Sequence, residues 1–169
     1  MKIEFCTNFD DFGLAETMVF DNLYETQLSM SLADKRYLFE APSLIMLYMK
    51  VNGQLAGEVY GMIPDDIDDD GEEIIPEERI HQWNGMYCYS ITILPQFRFG
   101  QIGMRLSEIL KTIWIDLVKN AGYASVVGHA TSTSAVRINA SLGATFFPQH
   151  NIPNIFGSQR LGQYYEIQL

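Results

Sequence analysis

The chain has 169 residues, 47% hydrophobic, 12% aromatic and 19% charged, which excludes a disordered or fibrous protein and fits one compact soluble unit. Its 21 acids against 11 bases give a formal charge of -10, the wrong sign for holding nucleic acid or an anionic membrane surface through counterion release. Cys6 and Cys88 have no metal-ligand or disulfide-framework spacing, no apolar run approaches a membrane span, and the start MKIEF lacks signal-peptide features, so the expected location is the cytoplasm.

Residues 2–6 (KIEFC) alternate polar and apolar as a short strand does. Asn8, Asp10 and Asp11 are candidate caps for a helix through Leu14, Met18 and Phe20, and apolar spacing predicts a second helix over residues 27–39. Two apolar-rich runs, SLIMLYMKV and QLAGEVYGMI, flank the turn pair Asn52-Gly53 and predict a β-hairpin ended by Pro64. An acidic stretch follows, then a strand at residues 85–94 stopped by Pro95. From Gly100 the period turns helical, through Ile102, Leu106, Ile109, Leu110, Ile113 and Leu117, with Asn120 and Gly122 as the stop. ASVVGHA (124–130) predicts a buried strand and Ser134–Leu142 a helix closed by Gly143. ATFFPQ and QYYEIQL predict the last two strands. The expected fold is a mixed α/β sheet with helices on both faces, formed by residues 1–169 as one domain with an insertion at 64–79.

The charge is concentrated. Residues 65–78 (DDIDDDGEEIIPEE) carry nine of the 21 acids and no base, whereas residues 91–169 hold three acids and six bases. A cationic partner therefore suits the first half of the chain and an anionic one the second.

The segment ITILPQFRFGQIGMRL (91–106) joins a strand to a helix through a turn containing Arg98, Gly100 and Gly103. Such a turn offers backbone N–H groups, a positive helix end and nearby arginines to an anion. It matches neither the dinucleotide pattern G-x-G-x-x-G nor the G-K-[ST] of a P-loop; glycines that serve only a tight turn and helix packing are the structural alternative.

On Pro95, Arg98, Gly103, Leu106 and the preceding strand, the sequence resembles the GNAT superfamily of acetyl-CoA-dependent N-acetyltransferases, whose signature is [QR]-x-x-G-x-[GA] at the start of a helix. Gln101 stands where the central glycine belongs, with Gly100 one place earlier. The segment TSTSAVRINASLGATF is similar to the family's N-x-x-A-x-x-x-Y-x-x-x-G-F region through Ala135 and Gly143. There Ser132 replaces Asn, Asn139 replaces Tyr and Ala144 replaces Phe. The resemblance implies a mostly antiparallel central sheet flanked by helices and a GNAT-like acyl-CoA N-acyltransferase fold. It assigns the coenzyme pyrophosphate to Arg98, Phe99, Gly100, Gln101, Ile102, Gly103 and Met104, with Ile93, Ser132 and Asn139 as further coenzyme contacts.

By that resemblance the reaction is direct attack of a neutral amine upon the thioester of acetyl-CoA; the expected acceptor is a primary amine on a small cationic molecule, with a peptide or protein amine as the alternative. A backbone N–H near Ile93 receives the oxyanion. His129 is the candidate base, with the right intrinsic acidity at the end of its strand; a structural histidine is the alternative, and His81 and His150 are weaker candidates. Asn139 cannot protonate the leaving thiolate, so either another donor serves, with Ser134 and Tyr164 as candidates, or the thiolate leaves without one. Ser134 also reads as a helix N-cap and Tyr164 as sheet packing. A non-catalytic acyl-CoA-binding or interaction protein on the same fold is the rival reading. The chain is expected to act as a monomer or homodimer.

Asp66, Asp68, Asp70, Gly71 and Glu77 fit the calcium-loop pattern D-x-[DN]-x-[DN]-G-x5-E. Pro64 and a strand precede them instead of a helix, and Pro76 interrupts. A solvated loop, an acidic wall for a cationic acceptor and a calcium site are the three readings of the segment; no metal is assigned.

Overall fold

The computed structural model describes residues 1–7, 13–21, 31–63, 84–98, 100–152 and 160–169. In chain order the elements are β1 (Ile3–Cys6), α1 (Leu14–Asp21), α2 (Leu32–Phe39), β2 (Ile45–Val51), β3 (Gln54–Met62), β4 (Gly85–Ile93), α3 (Gly100–Asn120), β5 (Ser125–Ala130), α4 (Thr133–Ser141), β6 (Thr145–Ile152) and β7 (Arg160–Gln168), with a 3-10 turn at Pro95–Phe97. This is the order expected from the sequence. Asn8, Asp10, Asp11, the start of the helix expected from residue 27, and the whole segment 64–83 with its acidic run and His81 lie outside the described residues.

The β2–β3 hairpin forms around Asn52 and Gly53, with φ of 51° and 81°, the two consecutive positive values that a tight hairpin turn demands. The strands join in one sheet in the order β1-β2-β3-β4-β5-β7-β6. Every neighbouring pair is antiparallel except β4 with β5. β6 is an edge strand, and its pairing with β7 shifts between Phe146 and Gln149. Pro148 lies in that gap; lacking an N–H, it is tolerated at a sheet edge.

Because side chains alternate across a strand, Leu47, Met49 and Val51 of β2 face one core and Met46 and Tyr48 the other. The first core lies against α3 and α4. Leu106, Leu110, Trp114 and Val118, spaced every fourth residue along α3, are all buried there, each contributing roughly 1.5–3 kcal/mol by leaving water. The indole N–H of Trp114 donates to the Ile45 carbonyl at 2.8 Å. Ile109, counted in the apolar stripe from sequence, is instead 38% exposed, since the stripe turns toward Trp114 and Val118. The second core gathers Phe20 of α1 and Phe39 of α2 over Met46, Tyr48, Tyr60 and Met62. Under these helices the buried pair Lys35–Glu58, 3.5 Å apart, ties α2 to β3, and Lys35 also donates to the Thr17 carbonyl of α1 at 3.0 Å.

The N-cap of α4 is Ser132, whose Oγ accepts from the Ala135 N–H at 3.1 Å. Ser134, read from sequence as that cap, is the second residue of the helix and exposed. The cap falls earlier because Ser132 holds the extended backbone, φ -145° and ψ 157°, that lets a side chain fold back onto the first free amides. No described helix is long and apolar enough to cross a membrane.

Candidate functional site

β4 and β5 part company. Their parallel pairing runs only from Gly85↔Ser125 to Tyr87↔Val127. Beyond it, β4 continues against β3 as far as Ile93↔Gly57, while β5 continues against β7 from Gly128↔Tyr165 to Ala130↔Gln163. A wedge thus opens between the two strands toward the end of β4, the end from which α3 begins.

The parity of the sheet decides what lines this wedge. The Leu94 N–H bonds the Ala56 carbonyl at 2.8 Å, on the β3 side. Since antiparallel bonding alternates along a strand, the N–H and carbonyl groups of Ile93 and Ile91 point away from β3, into the wedge. The Ile93 carbonyl is taken by the Nε of Arg98, which anchors the guanidinium at the open end. Gly100, Gln101, Ile102 and Gly103 form the first turn of α3, followed by Met104. Phe99 lies outside the described residues. The first amides of a helix have no intrahelical acceptor and carry the positive end of its dipole, so the mouth of the wedge combines these amides with Arg98.

At the apex, two side-chain clusters lie on opposite faces of the sheet. On the face covered by α1 and α2, Tyr87 of β4 and His129 of β5 bridge the strands where they separate, with the Tyr87 hydroxyl 2.8 Å from His129 Nδ1. The Tyr164 ring stands edge-on to the imidazole at 5.4 Å between centroids, and the Tyr164 hydroxyl donates to Glu166 Oε1 at 3.2 Å. Burial, and then the neighbouring Cys88 and Tyr164, push the Tyr87 phenol far above its ordinary range, so Tyr87 stays neutral and can donate to the imidazole or accept from the imidazolium.

On the α3 and α4 face, Lys111 is buried, 1% exposed. Its Nζ donates to Asn139 Oδ1 and, at 2.6 Å, to the Tyr165 hydroxyl. Burial lowers the Lys111 pKa and raises that of Tyr165, with Cys88 as a secondary influence on both. Gly128 makes room for this arrangement, since a Cβ there would stand 2.7 Å from the Tyr165 hydroxyl oxygen and 3.1 Å from the Cys88 carbonyl oxygen.

Of the residues singled out from sequence, the structure brings Ile93 and Arg98 into contact and sets Gly100 to Met104 directly after them on α3. His129 and Tyr164 share the opposite face at the apex. Ser132 serves as a cap and Ser134 is an exposed helix residue. The Asn139 amide is engaged at both ends, accepting from Lys111 and donating to the Ala135 carbonyl at 2.9 Å. Four neighbours of the wedge escaped the sequence reading. Ile91 shares the parity of Ile93 and could have been found by counting two residues back. Tyr87, Lys111 and Tyr165 acquire their surroundings only by long-range contact. Among the described residues, no group of three or more His, Cys, Asp or Glu side chains could hold a metal ion.

Compared by sequence, the chain matches no family model and no curated protein. Compared by structure, it is similar over nearly its whole length to several acetyltransferases. A polyamine N-acetyltransferase from Drosophila melanogaster superposes with a TM-score of 0.69 at 12% identity, covering 99% of this chain and 100% of that one. An N-acetyltransferase from Staphylococcus aureus Mu50 gives 0.66 at 13% identity, covering 99% of each chain. An aminoglycoside acetyltransferase in complex with coenzyme A gives 0.68 at 12% identity, covering 99% of this chain and 95% of that one. The chain has the GNAT acyl-CoA N-acyltransferase fold.

Proposed function

We propose that this chain, built on the GNAT fold, is an acetyl-CoA-dependent N-acetyltransferase in which residues 1–169 act as one catalytic unit and the acceptor is a primary amine on a small cationic molecule. The observation that carries this reading is the wedge: a pair of strands that separates beside a helix N-terminus, with the backbone groups of Ile91 and Ile93 turned into the gap. Such a gap suits a thin, extended, amide-bearing ligand with an anionic end, which is the shape and chemistry of coenzyme A. Its pyrophosphate would meet the first turn of α3 and Arg98, and its amide-bearing arm would pair with the wedge-facing edge of β4.

The roles follow from this placement. The N–H groups of Ile93 and Ile91 are the donors available to the oxyanion that forms when the amine attacks the thioester carbonyl; such fixed donors contribute most where water is excluded. His129 accepts the proton that the amine releases. Tyr87 holds the imidazole through Nδ1, and the Tyr164 ring packs edge-on against it. The amine therefore approaches from the His129 face, opposite α3. A cationic acceptor is supported by the acid-rich segment 65–78 and by the names of two structural neighbours, one a polyamine and the other an aminoglycoside acetyltransferase.

The test is thiol release from acetyl-CoA in the presence of a pooled panel of primary amines. Release above the amine-free rate with at least one pool is expected. Binding of acetyl-CoA in calorimetry with no amine-stimulated release would instead support a non-catalytic acyl-CoA-binding protein.

A further inference from the structure

A row of rings crosses the sheet on the face opposite α3. Tyr60 of β3, Tyr89 and Tyr87 of β4, His129 of β5, Tyr164 of β7 and Phe147 of β6 follow one another with 5.4 to 6.3 Å between neighbouring centroids, within the range at which aromatic side chains attract. Tyr60, Tyr87 and Tyr164 are buried, whereas Tyr89, His129 and Phe147 are half-buried, so ring surface reaches the outside on either side of Tyr87. Tyr89 owes its place to a bulge. The β3–β4 register passes from Tyr60↔Ser90 to Gly61↔Cys88, which leaves Tyr89 as the extra residue. Cys88 and Ile91 pack with the α3-side core. Ser90 Oγ instead lies 3.4 Å from the hydroxyl of Thr92, the strand partner of Glu58 on the α2 side. Tyr89 and Ser90, though consecutive, therefore both project to the face opposite α3, a re-aiming that bulges perform beside sites. Tyr89 is two residues from Ile91, about 7 Å at the usual rise. Tyr89 and His129 both lie against Tyr87, and the strands that carry them separate just after it.

We propose that Tyr89 is a specificity-determining residue and that the acceptor is an amine carrying a flat ring on a short tether, with the ring held by Tyr89 and the amino group between His129 and the Ile91 amide. This rests on the acetyltransferase reading and narrows its acceptor from small cations in general to arylalkylamines. Stacked or edge-on contact with a tyrosine ring rewards a second ring more than a saturated chain. The charges on this face point the same way. An acceptor with several ammonium groups needs a carboxylate for each one that leaves water. The buried carboxylates among the described residues are Glu58 and Glu166. Glu58 faces Lys35 at 3.5 Å, and Glu166 accepts from the Tyr164 hydroxyl. A molecule with a single amino group, which gives its proton to His129, leaves no further charge to be matched. The spacing also fits, since the two residues from Tyr89 to Ile91 set a separation of about 7 Å, on the scale of a ring and a short tether.

The experiment measures thiol release from acetyl-CoA with 2-phenylethylamine and with spermidine for the wild type, Tyr89→Leu and Tyr89→Phe. The wild type is expected to favour 2-phenylethylamine in kcat/KM by about tenfold or more, the scale on which a pocket sorts substrates by apolar fit. Tyr89→Leu keeps an apolar side chain and loses the ring. It is expected to raise KM for 2-phenylethylamine about fivefold, the scale of one aromatic pair, with KM for acetyl-CoA unchanged. Tyr89→Phe, which keeps the ring, is expected to stay close to the wild type. A wild type that favours spermidine overturns the proposal. So does a Tyr89→Leu variant whose KM for 2-phenylethylamine is unchanged or rises only in step with that for acetyl-CoA. If Tyr89→Leu does not fold, the wild-type preference decides. Release with other amines but not with 2-phenylethylamine leaves the acetyltransferase reading standing and refutes this one; release with no amine overturns both.

Discussion

Lys111 on α3 and Tyr165 on β7, 54 residues apart in sequence, meet through a 2.6 Å bond from Nζ to the phenolic oxygen. Burial is the first cause of the lowered Lys111 pKa, which has a consequence for stability that can be measured without any ligand. In the unfolded chain a lysine titrates near ~10.4. Between the lower folded value and that one, the unfolded state binds the extra proton, so stability rises with pH, by at most about 1.4 kcal/mol per unit. The contribution is complete above the unfolded value and is lost as pH falls through the folded one. Urea denaturation of the wild type and Lys111→Met should therefore give a stability difference that moves in favour of the wild type as pH is raised toward 10. A difference that does not change with pH would show that the ammonium is as well solvated folded as unfolded.

Arg98 links the open end of β4 to the turn before α3 by donating to the Ile93 carbonyl, and it is exposed enough to reach a ligand. Arg98→Ala should weaken acetyl-CoA binding about tenfold, the usual scale for one charge-assisted contact, with a melting temperature within a few degrees of the wild type. Gly103→Glu, which places a like charge beside the pyrophosphate, should weaken it further. Unchanged affinity in both would remove the mouth of the wedge as the phosphate site.

Tyr87 and His129 test the amine side. Tyr87→Phe, which removes the hydroxyl that holds Nδ1, should lower kcat/KM by roughly tenfold, while His129→Gln should lower the rate by about 10²–10⁴. A kcat/KM identical to wild type in Tyr87→Phe would make the bond structural only.

The acidic segment 65–78 is rooted at Ile63 and Asn84, at the closed end of the wedge. Ile63 is held there by the Ser43 hydroxyl at 2.9 Å, and the Asn84 carbonyl by the Ala124 N–H at 2.9 Å. If the segment guides cationic acceptors, neutralising several of its acids should raise KM for a cationic amine several-fold and leave KM for acetyl-CoA unchanged, with an effect that shrinks as salt is added. Equal changes in both constants would make it a passive loop.

The order of elements is decided locally. Asn52-Gly53 can do little but turn, Pro95 ends a strand whatever surrounds it, and Leu106, Leu110, Trp114 and Val118 recur every four residues along α3. The sequence alone therefore specifies a mixed sheet with helices on both faces and the strand-turn-helix that meets the coenzyme in the proposed reaction. Local pattern cannot choose between Ser132 and Ser134 as the cap of α4, because both are small hydroxyl residues within one turn; backbone direction at the end of β5 settles it. Nor can it reveal that β7 inserts between β5 and β6, that β4 and β5 separate after Tyr87 and Val127, or that Lys111 turns inward. Those outcomes depend on pairings between residues far apart in the chain, where each strand has several acceptable partners and only the packing of the whole sheet selects one. The chemistry of the candidate site depends on them. His129 and Lys111 are ordinary surface-type residues in the sequence, and what sets them apart is a tyrosine supplied to each from another strand.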